Sequence, residues 1–151
     1  MMRVLFRVVQ CNKAIRDEDA NIYVRACTRG HEGSITSVHA SELEDVPDAI
    51  TDMCMLDNRG MDPDRLRMRV ARYVCQIGFQ LAIVNGKRKI VRIAEMACRG
   101  DEIRVTDLVR YDYRSDQWEW PSPLSEHAAG KLRRMASAGI GQLLEWGVVP
   151  Q

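Results

Sequence analysis

With 151 residues, 46% of them hydrophobic and 28% charged, the chain falls in the range of one globular domain and outside that of a disordered one. Lys and Arg number 22 against 21 Asp and Glu, so no overall field draws the protein to nucleic acid or an anionic membrane. The cysteines (Cys11, Cys27, Cys54, Cys75, Cys98) stand at wide, unequal intervals, with no CxxC pair and no histidine at zinc-ligand distance. That pattern predicts reduced, mostly buried thiols and no metal centre.

Residues 3 to 9 form a β-prone run that begins almost at the first methionine, with no preceding element to pair with. The abrupt start predicts a truncated unit whose first strand has an open edge. This run is too short, and too interrupted by Arg7, to cross a bilayer, and no apolar leader precedes it, so a cytoplasmic location is expected. From Asp17, Ala20, Tyr23 and Cys27 follow a helical stripe that Gly30 would stop. Ser34 to His39 is a strand candidate with Ile35 and Val38 as its apolar members. Ser41 is then expected to cap a helix carrying Leu43, Val46, Ile50, Met53 and Cys54, with Pro47 in its first turns.

Asp62-Pro63-Asp64 predicts another helix start, followed by Leu66, Val70, Ala71, Val74 and Ile77, with Gly78 as its end. Phe79 to Val84 and Lys89 to Met96 are apolar runs joined by Asn85-Gly86, a strong hairpin signal. Glu102 to Tyr111 is a third strand, expected at a sheet edge because only one of its faces is apolar. Trp118 and Trp120 alternate as strand residues do and are expected to pack the tail onto the body or a neighbour. Pro121 and Pro123 mark a linker, with short helices expected around 128–138 and 141–146. The arginines at 65, 67, 69 and 72 spread over more than one helical face and read as a solvated surface.

The segment from Arg25 to Ser41 places two histidines eight residues apart. Taken alone, such a pair is more often hydrogen-bonding than catalytic. In full, however, Gly30-His31-Glu32-Gly33-Ser34 followed by Val38-His39-Ala40-Ser41 resembles the histidine box of type II/IV secretion ATPases, TGH(D/E)GS, four residues, then HA(N/S). It is closest to the branch that drives tight-adherence pili. Upstream, Arg16 and Ala20 match the family's GEVRG-x-EA at the end of the Walker B strand. Downstream, Arg88-Lys89-Ile90-Val91-Arg92-Ile93-Ala94-Glu95 and Gly100-Asp101 are similar to the family's RR(V/I)-x-x-I-x-E strand and GD turn.

The resemblance implies an α/β fold: the C-terminal half of a truncated RecA-like P-loop ATPase, with an antiparallel β-hairpin region and a helical tail. Residues 1–116 would form the partial motor domain and 117–151 the linker and tail. It also implies that Arg16, Gly30, His31, Glu32 and His39 flank a nucleotide, with ATP and Mg as the intact family's cofactors. Expected partners are homologous motor subunits or a second copy, and a secretion or pilus platform protein at the inner membrane face, with no nucleic acid.

Hydrolysis by such motors needs a phosphate-cradling loop and a carboxylate that positions water. The sequence contains no GxxxxGK(S/T), and the family's Walker B glutamate falls on Ala14, whose methyl group accepts no proton. Glu32 is no substitute, since the family carries an acid there besides that glutamate. The expectation is an inactive motor relative, with a non-enzymatic binding module or one half of a split ATPase as the other readings.

Overall fold

The computed structural model describes residues 3–8, 17–30, 34–56 and 60–135. Strand β1 (Arg3–Val8), helix α1 (Asp17–Thr28) and strand β2 (Ser34–Val38) lead to a 3-10 turn (Leu43–Asp45) and two helices, α2 (Val46–Met55) and α3 (Pro63–Tyr73). A meander follows: β3 (Ile77–Val84), β4 (Lys87–Arg99), β5 (Glu102–Asp112) and β6 (Gln117–Glu119), closed by α4 (Glu126–Met135). The strands form one six-stranded sheet in the order β2-β1-β3-β4-β5-β6. The fold is mixed α/β, and each neighbouring pair runs antiparallel.

Local chemistry explains most element boundaries. Gly30 ends α1 with φ +88, a left-handed conformation that side chains resist, and its N–H donates to the Cys27 carbonyl. At α3, the Asp62 carboxylate accepts the Arg65 N–H at 2.8 Å while Pro63 occupies the first turn, where a missing N–H costs nothing. Asn85 (φ 51) and Gly86 (φ 74) make the two-residue turn between β3 and β4, whose twist suits paired strands.

Alternate residues of β4 face opposite sides of the sheet, and each side has its own core. Ala94 and Met96 pack with Val24, Leu43, Val46, Ile50, Leu66 and Val70 beneath α1, α2 and α3. Ile93 belongs to a smaller cluster with Leu108, Val109, Leu124 and Ala129 beneath α4. Asn21 ties two helices together by donating to the Cys54 carbonyl at 2.9 Å, which satisfies one of the acceptors that the end of α2 leaves open.

Four expectations are corrected. The strand at the start of the chain has no open edge: Leu5 lies opposite Ser37 on one side and Phe79 on the other, and both pairings are antiparallel. Ser41 is not the cap before α2. Glu42 caps the 3-10 turn instead, and the Asp45 carboxylate accepts its N–H at 3.1 Å, a reciprocal arrangement that a carboxylate three residues on makes possible. Gly78 does not end α3, which stops at Tyr73; it is buried inside β3, opposite Phe6 and Ala94. The Gln76 carbonyl already accepts from Met96 there, which commits the chain to the sheet. Nor is β5 an edge, because β6 pairs with it through Tyr111 and Trp118. The first tail helix is present as expected, at Glu126–Met135; the second, around 141–146, lies outside the described residues.

Candidate functional site

Of the five residues that the motor resemblance places near a nucleotide, Gly30 and His39 are described, and Arg16, His31 and Glu32 lie outside the described residues. Gly30 precedes β2 and His39 follows it; both are exposed. An extended strand rises about 3.3 Å per residue, so the length of β2 alone separates its two ends by roughly 13 Å. The strand thus sets its two ends well apart, with His39 directly after the second of them. Among the described residues no cluster of three or more His, Cys, Asp or Glu side chains is placed to hold a metal ion.

The segment that follows His39 is instead anchored by charge. Arg92, on β4 and mostly buried, donates from both terminal nitrogens to the Glu44 carboxylate at 2.8 and 2.6 Å, and from Nε to Asp107 on β5 at 2.6 Å. Planar guanidinium and carboxylate groups fit this two-point geometry well. Asp107 also accepts from Arg110, and Gln80 on β3 donates to Glu42 at 3.1 Å. One arginine thus pins the connection after β2 to the middle of the meander.

The network also sets the charge states. Its hydrogen bonds to Arg92 hold the Glu44 carboxyl below its ordinary range. Burial alone would raise Asp107, but hydrogen bonds from Arg92 and Arg110 outweigh it and leave this carboxyl lowered as well. The Arg92 guanidinium is held more firmly protonated, chiefly by Glu44. Every charge here has a partner, and the arrangement fixes geometry rather than offering an open acid or base.

Two further contacts had only partial signals in the sequence. Glu95, buried on β4, accepts the Ser125 N–H at 2.8 Å and its hydroxyl at 2.5 Å, while Ser125 Oγ accepts the Ala128 N–H at 3.2 Å. The acid that matches the motor family's I-x-E thus holds the start of α4. Lys89 donates to Tyr111 and Asp116, and its ammonium lies 4.6 Å from the Tyr111 ring centroid. Trp118 tilts against that ring at 5.3 Å and donates to the Ile90 carbonyl at 2.8 Å, so the tail packs onto the body as the Trp alternation suggested.

The thiols are mostly withdrawn from chemistry. Cys54 and Cys75 are buried, Cys27 and Cys98 half-buried, and none of these four forms a disulfide among the described residues. Burial pushes the Cys75 thiol well above its ordinary range, away from the reactive thiolate. No described helix is long and apolar enough to cross a membrane.

No protein-family model, curated protein or solved structure matches the chain.

Proposed function

We propose that this chain is a catalytically degenerate relative of secretion or pilus-assembly motor ATPases, which associates with homologous motor subunits and does not hydrolyse ATP by itself. One observation carries the reading: the box around His31 and His39 is kept while the position of the water-polarising glutamate holds Ala14. A methyl group neither accepts a proton nor orients water. The RecA-like frame belongs to this proposal, as do the 1–116 and 117–151 division and a cytoplasmic place beside a platform protein at the inner membrane face.

One structural observation favours a second reading, a non-enzymatic binding module. In P-loop motors the strand before the Walker B acid lies in a parallel sheet, whereas β1 here is antiparallel to both of its neighbours. In that case the sequence around β2 serves a binding surface rather than a nucleotide site.

The two readings separate in a single set of assays. The purified chain is tested for magnesium-dependent ATP turnover alone and mixed with a P-loop motor subunit of the tight-adherence type. Under the motor reading the chain alone shows background turnover, joins the subunit in sedimentation and changes its rate, and His39→Ala weakens that change. Turnover by the chain alone that vanishes in His31→Ala would overturn the degenerate assignment. Failure to associate with any motor subunit would leave the binding module.

A further inference from the structure

The face of α3 turned towards the β4–β5 turn carries an open groove of about 320 Å³. Arg65, Arg69 and Arg72 line it at helical spacings of four and three, so they form one stripe about 10 Å long. Arg67, on a different face, is engaged by Asp48 across to α2. None of the three groove arginines forms an ion pair among the described residues; Arg69 makes only a 3.4 Å hydrogen bond to Thr28. Asp101, at the turn, is the single acid of the lining, which leaves three guanidiniums against one carboxylate.

We propose that this groove binds a small phosphate-bearing ligand. Three guanidinium forks on one stripe provide more donors than a carboxylate with two oxygens can accept, whereas a phosphate group has three strong acceptor oxygens and suits convergent, bidentate arginines. A ligand with adjacent phosphates spans the stripe better than one with a single phosphate, because successive arginines lie roughly 4.5 to 6 Å apart along the axis. The remaining wall is not charged. Met68 is half-buried in it, and the Tyr73 ring, 46% exposed, offers a face for an organic group beside the phosphates. The volume is at the small end for ligand sites, which suits a metabolite-sized molecule rather than a protein segment. The site is independent of the box around β2 and does not rest on the motor reading.

The test is calorimetric titration of the full chain with pyrophosphate, inorganic phosphate and citrate in low salt, with circular dichroism confirming the fold of each variant. Pyrophosphate is expected to bind more tightly than phosphate, and citrate more weakly than pyrophosphate. Arg69→Gln should weaken pyrophosphate about tenfold or more, the loss of a charge-assisted hydrogen bond, and Arg65→Gln and Arg72→Gln should act in the same direction. Arg67→Gln, on the other face, should leave binding unchanged. Vesicles of phosphatidylglycerol form a further arm: binding that pyrophosphate competes away assigns the phosphate to a lipid headgroup, and no vesicle binding assigns it to a free ligand. No heat from pyrophosphate at millimolar concentration would overturn the proposal. So would citrate binding as tightly as pyrophosphate, or equal losses in Arg67→Gln and Arg69→Gln, since either means diffuse surface charge.

Discussion

Replacing Arg92 by alanine removes three charge-assisted hydrogen bonds at once, and their surroundings set the cost of each. Glu44 is about half exposed, so its freed carboxylate is rehydrated and the loss on that side is about 1 kcal/mol or less. Asp107 is only 10% exposed and would keep Arg110 alone as its charged partner, itself 63% exposed. Loss of a hydrogen bond to a buried charge costs about 1.5 to 3 kcal/mol, so the expected total is about 2 to 4 kcal/mol. Urea unfolding followed by circular dichroism should show a midpoint lower by about 1 to 2 M at an ordinary slope. The pH dependence gives an internal check. Glu44 and Asp107 have folded pKa values depressed below their ordinary 4.5 and 3.8, so this stabilisation is fully present above those values and is lost as pH falls through the folded ones. The gap between wild type and Arg92→Ala should therefore be widest near neutral pH and close under acid conditions. A loss below about 0.5 kcal/mol at pH 7, or a gap that stays constant into acid, would refute the role given to this arginine.

Gly86→Val should destabilise the fold by about 1 kcal/mol or more, because a β-branched residue resists the positive φ of the turn; an unchanged melting temperature would count against that geometry. Glu95→Ala should release α4 while leaving the larger core intact, read as faster hydrogen exchange confined to residues from 125 onward; uniform loss of protection would mean that Glu95 supports the whole sheet. Backbone amides of residues 3 to 8 that point to β2 or β3 should exchange slowly in the monomer, and rapid exchange would restore the open edge expected at first.

What the sequence disclosed was local. Asn85-Gly86, Asp62-Pro63 and Gly30 each place a residue whose own backbone preference suits the position it occupies, and the structure has a turn, a helix start and a helix stop there. Gly78 shows the limit of the same logic: a glycine after a helical stripe reads as a stop, but it was needed in the middle of a sheet that brings Phe6 and Ala94 to either side of it. Strand order depends on pairings far apart in sequence, so an all-antiparallel sheet with β1 inside it could not be read from periodicity. Arg92 and Glu44 lie 48 residues apart, and their contact likewise has no local signature. Of the proposed nucleotide-flanking group, Gly30 was legible through its backbone role alone, and His39 through its place after a short strand.

The position of β1 has a consequence for the order of events in folding. The β3 to β6 meander pairs strands that follow one another in sequence and can close within short loops, as hairpins do. Pairing β1 with β3 joins strands separated by roughly 70 residues, at an entropic cost that grows with the logarithm of the loop closed and that the β1–β2 pairing reduces only in part. During synthesis this strand leaves the ribosome ahead of its β3 neighbour, which follows only after both α2 and α3. For that interval one of its final hydrogen-bonding sides has no partner from its own chain, and a growing polypeptide in this state is the form most open to capture by chaperones or by other nascent strands.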